Sequence, residues 1–416
     1  MHSDVSAISR TASPRWQRAF YPIWTGQLFS LLGSAVAQFA LIWWLTIESG
    51  SAVVLTIASL VGFMPQALLG PVVGVWVDRW SRKACMIGAD LSIALASLAL
   101  AGVFAFGDPS QWMVFLVLAV RSVGSAFHVP AFQASIPLIV PQEALTRVAG
   151  LNQAISSAGN IAGPMLAGLL IARFPMQGVL LADVSGAAIA CGMLALVYIP
   201  RPSACSHGKV RPGMLREMAA GLRELSHSRG LLLLLIALSM ATVIYMPVGA
   251  LFPLLVFEHF EGTATHASFA EAAFGAGLLA GSIALSVWGG FTRKVYTIVL
   301  SLGLMSTALI AIGMLPGSRF DSFLVFAAVI GVSGPLFSGP FTVLLQIMVA
   351  PAAQGRVFSM VTSMMLLASP VGLIIAGPGA ERIGVPGWYF LSGILVFCVG
   401  VICCVVKPIR HLERAG

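Results

Sequence analysis

Twelve apolar runs follow one another along this chain, at about residues 20–47, 52–77, 84–106, 112–134, 148–172, 178–200, 231–257, 270–291, 295–315, 321–348, 356–380 and 387–406. A helix needs about 20 apolar residues to cross the hydrocarbon core of a bilayer, and each run is of that order. Within lipid no water is present to bond free backbone N–H and C=O groups, so a spanning segment must satisfy them internally, as a helix does. The expected fold is therefore all-α and integral to the membrane, with twelve transmembrane helices in two six-helix bundles. The polar stretch after the sixth run sets the divisions: an N-terminal bundle over residues 1–200, a basic linker over 201–230 and a C-terminal bundle over 231–416.

Composition agrees with that solvent. Charged residues are 9% of the chain and hydrophobic residues 58%, whereas soluble domains carry about 25% charged residues. The net charge of +8 does not point to nucleic acid, because the cations gather at the ends of apolar runs. Nineteen of the 23 Lys and Arg fall on one side if the N-terminus is cytoplasmic, three fall on the other, and Arg121 lies within a run. Cytoplasmic loops are enriched in Lys and Arg, so both termini are expected inside, in a multi-pass protein of the bacterial inner (cell) membrane. The outer connections carry acids instead, Glu48, Asp108, Glu258, Glu261, Glu271, Asp321 and Glu381, read as solvated loop ends. The first nineteen residues are polar, and no cleavable signal peptide is expected.

The six cysteines form no CxxC or Cys/His cluster of zinc spacing, so no metal site is expected. Gly-x4-Gly-Lys-Ser/Thr, His-Glu-x2-His and Gly-x-Ser-x-Gly are absent. No cofactor and no enzymatic reaction are expected, and the energy for any transport falls to an ion or substrate gradient.

The two halves repeat weakly. A shift of 209 residues lays Arg147-Val148 on Arg356-Val357, Gly163 on Gly372 and Gly168 on Gly377. A shift of 211 lays Gly70 on Gly281 and Arg82-Lys83 on Arg293-Lys294. Parallel repeats of this kind place a substrate cavity at their interface, near the bilayer midplane.

Three local signals carry mechanism. The first joins the second and third runs: Gly70, Gly74, Asp78, Arg79, Ser81, Arg82 and Lys83. Glycines four apart let helices approach closely, and Asp78, near the start of the third helix, would be favoured by its dipole. The cluster reads either as a positive-inside turn or as a set of ion pairs that locks one conformation. The second signal is Arg121, roughly nine residues or about 13 Å into the fourth run. An arginine at that depth needs a cavity or a partner, and it reads as a buried ion pair or as a coupling residue. Asp90 and Asp183 are the acids within runs, each a candidate proton carrier or a helix-end acid. The third is Gly159, Gly163, Pro164 and Gly168, where a Gly-Pro pair bends a helix between packing glycines. Gln38, Gln133, Asn152 and Asn160 are deep polar residues that would hydrogen-bond a ligand or bridge helices.

The first signal resembles the inter-helix signature of the major facilitator superfamily, Gly-x3-Asp-Arg-x-Gly/Ser-Arg-Lys, in every element. The second half departs from it, with Gly289 in the acid's place. The fourth-run Arg121 and the Gly-x3-Gly-Pro segment resemble motifs of the same superfamily, the latter of its exporters, with Ala167-Gly168 where that motif has Gly-Gly. Over nearly the whole chain the sequence is similar to the macrolide-efflux branch. The segments that carry this are Phe20 to Gln27, Gly50 to Leu55, Met86 to Leu91, Arg121 to Ala131, Tyr245 to Pro253 and Gly355 to Ser359. The resemblance implies export of a bulky amphipathic drug by proton antiport with alternating access. It implies gating by the first signal and proton coupling by Arg121 with Asp90 or Asp183. It also implies a cavity lined by Trp24, Gln38, Phe39, Gln133, Asn152, Asn160, Tyr245 and Phe252. The partners expected are a small-molecule drug, protons and lipid, with a monomeric chain. Rival readings are an exporter of siderophores or other metabolites and a non-transporting membrane sensor.

Overall fold

The computed structural model describes residues 16–200, 228–349, 351–410 and 412–414. Most of the expected linker lies outside the described residues. Twelve long helices follow in order: α1 (Trp16–Ser49), α2 (Ala52–Arg79), α3 (Arg82–Phe106), α4 (Gln111–Ile139), α5 (Leu145–Ile171), α6 (Met176–Leu196), α7 (Arg229–Leu254), α8 (Ala264–Trp288), α9 (Lys294–Met314), α10 (Phe320–Met348), α11 (Pro351–Ile383) and α12 (Val385–Val405). A π-helical turn, Leu255–His259, extends α7. Eleven of the twelve are long and apolar enough to cross a membrane, while the apolar stretch of α5 is confined to Gly159–Ile171. The first half of α5 holds Arg147, Asn152 and Gln153, and such residues in a spanning helix face a cavity or a partner rather than lipid.

The helices pack in a pattern that repeats every six. In the first half α1 packs on α6 and α5, α3 on α6 and α4, and α2 on α4; in the second α7 packs on α12 and α11, α9 on α12 and α10, and α8 on α10. The fold is two six-helix bundles of the same internal order. They meet through two equivalent seams, α2 on α11 and α5 on α8. Glycine makes the tight crossings possible by removing the side chain between backbones. A Cβ at Gly33 of α1 would sit 2.8 Å from the Ala182 carbonyl oxygen of α6, and one at Gly281 of α8 would sit 2.5 Å from the Val332 carbonyl oxygen of α10. Large apolar side chains such as Leu95, Trp112, Leu116, Ile283 and Val287 point outward, as lipid in place of water permits.

Two expectations from the sequence are corrected. Glu271 is no loop end: it is the eighth residue of α8. Thr263 and His266 form a reciprocal cap that starts the helix at Ala264, and the polar residues of that first turn disguise its beginning in the sequence. Asp78 belongs to the last turn of α2 and not to the start of α3, because Ser81 caps α3 by accepting the Ala84 N–H. The side chains of Asp78 and Arg79 lie outside the described residues.

Candidate functional site: a buried charge network beside a polar cavity

Arg121 sits on α4 where it meets α3, and its side chain is only 7% exposed. A charge so enclosed persists only if paired and hydrogen-bonded. Its partner is Asp183 of α6, which its Nη1 contacts directly. The same nitrogen donates to Ser97 Oγ of α3 at 3.1 Å, and Nη2 donates to the Ser34 carbonyl of α1 at 2.8 Å. Asp183 is satisfied in turn: Ser34 Oγ donates to Oδ1 at 2.8 Å and Ser97 Oγ to Oδ2 at 2.6 Å. Four helices of the first bundle are thus tied by one ion pair and two serines. Of Asp90 and Asp183, it is Asp183 that forms the ion pair with Arg121. The Nε of Arg121 has no partner among the described residues.

Arg121 also forms part of a cavity wall. The cavity, about 320 Å³, is lined by residues that include Ser34, Gln38, Arg121, Ser125, Ser156 and Asn160. Gly159 lines it too, and a Cβ there would meet nothing within 4 Å. Of the expected cavity residues the structure brings Gln38 and Asn160 together here. Trp24 instead packs near Phe20, Val140 and Val148, and Phe39 near Val36 and Ala40. Phe252 stacks near Phe323, ring centroids 5.6 Å apart. Gln133 is exposed and Asn152 half-buried, with the Asn152 Oδ1 lacking a partner. Tyr245 is half-buried in the second bundle.

Asp90 heads a separate cluster. It is buried on α3, with His128 Nε2 of α4 at 3.6 Å and Ser30 Oγ of α1 at 3.4 Å from its Oδ1. Gln27 faces it as well, and Asp183 is near enough to act on it electrostatically. Asp90 Oδ2, His128 Nε2 and Gln27 Nε2 make no hydrogen bond among the described residues. Buried polar atoms left unpaired are costly, and this cluster holds three of them. His128 escaped the sequence reading because nothing in the spacing of one histidine on α4 reveals a carboxylate on α3.

The glycine motif of α5 acts through packing. Gly163 lies against Ala35 of α1. Gly168 lies against α8, where a Cβ would fall 2.8 Å from Ser268 Cβ and 3.1 Å from the Ala264 carbonyl oxygen. Pro164 falls between them, inside the helix. Two cations of the first motif, Arg82 and Lys83, bind backbone carbonyls of other helices and their ends. Arg82 Nη1 donates to the Ala134 carbonyl of α4 at 2.5 Å, and Lys83 Nζ donates to the Ala195 and Val197 carbonyls at the end of α6, each at 2.9 Å. The Ala195 and Val197 carbonyls have no intrahelical donor, and Lys83 satisfies them. In the second half Gly289 and Gly290 end α8 with φ of 74° and 75°, a left-handed turn suited to glycine. That is why an acid is missing from this place.

Between the bundles, the hydrogen bonds and ring contacts described all lie on the face that carries the α1–α2 turn. Ser51 Oγ donates to Glu381 Oε1 at 2.6 Å, the Val53 N–H reaches the same oxygen at 3.4 Å, and Trp43 meets Phe257 edge to face at 6.1 Å. Two symmetric bundles, few seams and a polar cavity walled by a buried charge define a membrane transporter built for alternating access.

The chain belongs to the Major Facilitator Superfamily, whose family model matches residues 23–372. It is 42% identical to Macrolide efflux protein A of Streptococcus pyogenes over 398 residues, 96% of this chain and 98% of the relative. It is 28% identical to Multidrug efflux pump Tap of Mycobacterium tuberculosis over 93% of each chain. Among solved structures it is similar in fold to an inward-facing bacterial homologue of the iron transporter ferroportin, with a TM-score of 0.67 and 18% identity over 92% of this chain and 98% of the other. An inward-facing bacterial homologue of the lysosomal transporter Spinster gives a TM-score of 0.66 at 13% identity, covering 97% and 98%.

Proposed function

We propose that this protein exports bulky amphipathic drugs of the macrolide class from the cytoplasm, by exchange for protons. The substrate class rests on the similarity to Macrolide efflux protein A over nearly the full length of both chains. The geometric observation that carries the mechanism is Arg121, locked to Asp183 on one side and lining a cavity on the other. Movement of any of α1, α3, α4 or α6 must deform that network, so occupancy of the cavity and the arrangement of the first bundle are coupled.

The Asp90–His128 cluster supplies the proton step in this reading. Its unpaired oxygen or imidazole nitrogen accepts a proton, whereas both oxygens of Asp183 are already bonded. With the orientation set by the positive charges, the contacts at Ser51, Glu381, Trp43 and Phe257 close the outer face, and the state is inward-facing. The protein works as a monomer in the bacterial inner membrane, with both termini in the cytoplasm.

The test is proton movement in proteoliposomes driven by erythromycin. Macrolide-dependent proton flux that disappears in Asp90→Asn, while that variant still exchanges labelled drug for unlabelled drug, is the expected result. Undiminished proton flux in Asp90→Asn removes Asp90 from the mechanism. Absence of any response to macrolides in the native protein removes the substrate class.

A further inference from the structure

We infer that Glu271 on α8 is a cation-binding carboxylate of the second bundle, which takes the charged amine of an amphipathic substrate. The inference rests on the drug-export reading and names the group within the protein that would select a positive charge. Glu271 lies seven residues, about 10 Å, from the start of α8. Acids at other places in the second bundle lie at helix ends: Glu258 in the last turn of the α7 extension, Asp321 in the first turn of α10 and Glu381 in the last turn of α11. A carboxylate as deep as Glu271 is retained where a partner or an aqueous path meets it.

Its position is on the seam. Ser268, one turn earlier on α8, packs on Gly168 of α5, and Gly275, one turn later, packs with its Cβ position 2.5 Å from Ile161 of α5. Glu271 therefore stands between two close approaches of α8 to α5. The residue next to Ile161 is Asn160, which lines the cavity. Four residues of helix, about 6 Å, separate the level of Gly275 from Glu271. The residue is half-buried, so part of its surface stays open.

Among the described residues Glu271 makes no ion pair, and no charged group acts on it from α5 or α10. The ionisable groups that face it are Tyr245 of α7 and Tyr389 of α12. The Tyr389 hydroxyl is committed, donating to the Val248 carbonyl at 2.7 Å. Tyr245 brings an aromatic ring, which attracts a cation at its face. A carboxylate with no ion-pair partner among the described residues, and with an aromatic ring within electrostatic reach, is a site for an organic cation. When that cation leaves, a proton takes its place on the carboxylate, which makes the two competitors.

The experiment measures binding and transport by purified, reconstituted protein for three probes: tetraphenylphosphonium, erythromycin and an uncharged amphiphile of similar size. Glu271→Gln removes the charge at nearly constant shape, and Glu271→Asp keeps it. The expected result is a loss of about tenfold in affinity for both cations in Glu271→Gln, the size of one charge-assisted contact. The uncharged probe and the melting temperature stay unchanged, and Glu271→Asp retains cation binding within about threefold. Cation binding unchanged in Glu271→Gln overturns the assignment. Equal loss of all probes, or a lowered melting temperature in both variants, overturns it in favour of a packing role. A native protein that moves only uncharged amphiphiles overturns the cation site and leaves export standing; one that moves none of the three overturns export itself.

Discussion

At the scale of single residues the contrast between two aspartates is the informative feature. Asp183 has both oxygens bonded, while Asp90 keeps one oxygen empty. Removing one partner of a buried pair strands the other, at a cost of about 3–5 kcal/mol. Arg121→Ala and Asp183→Asn are therefore each expected to lower the melting temperature in detergent and to abolish efflux. The double change Arg121→Met with Asp183→Leu should recover most of the melting temperature and none of the efflux, because apolar packing replaces the pair without restoring the coupling. Recovery of transport in the double variant would show the pair to be structural only. The sequence exposed Arg121 and both aspartates as charges within apolar runs. It could not say which acid belonged to Arg121, since residues 62 apart and residues 31 apart are equally free to meet until the packing of α6 on α3 and α1 decides.

At the scale of elements, α5 shows how one helix serves two interfaces. Gly163 faces α1 in its own bundle and Gly168 faces α8 in the other. The repeat in the sequence carried this information: Gly372, matched to Gly163, lies against Val243 of α7, and Gly377, matched to Gly168, lies against Thr56 and Val53 of α2. Each contact is its counterpart moved on by six helices, so the weak sequence repeat reported a true equivalence of packing. Gly168→Val should then block closure of the seam, and Gly159→Ala, which meets open space, should be tolerated. Efflux rates beside accessibility of single cysteines on the outer face would separate the two. What the sequence hid was the start of α8, because a cap built from Thr263 and His266 looks like a loop when polarity alone is read.

At the scale of the molecule the two seams are equivalent in position and different in chemistry. The α5–α8 seam is packed through Gly168 and Gly275, whereas the α2–α11 seam adds to its packing of Gly377 the contact of Glu381 with the first turn of α2. A carboxylate at a helix N-terminus meets free N–H groups and the positive end of the dipole. Glu381→Gln should weaken this contact and shift the population toward the outward-open form by about threefold, read from spin-label distances across the outer face. No shift would mean that the small-residue seam alone holds the bundles together. A last consequence concerns how the chain is made. In the proposed orientation Arg82 and Lys83 belong to the bias that orients a nascent chain during insertion, and in the finished protein Arg82 ties to the Ala134 carbonyl of α4 while Lys83 closes the end of α6. The same two side chains are thus used first as a topogenic signal and later as structural ties. A substitution there would act twice, once on the fraction of chains inserted the right way round and again on the rigidity of those that are.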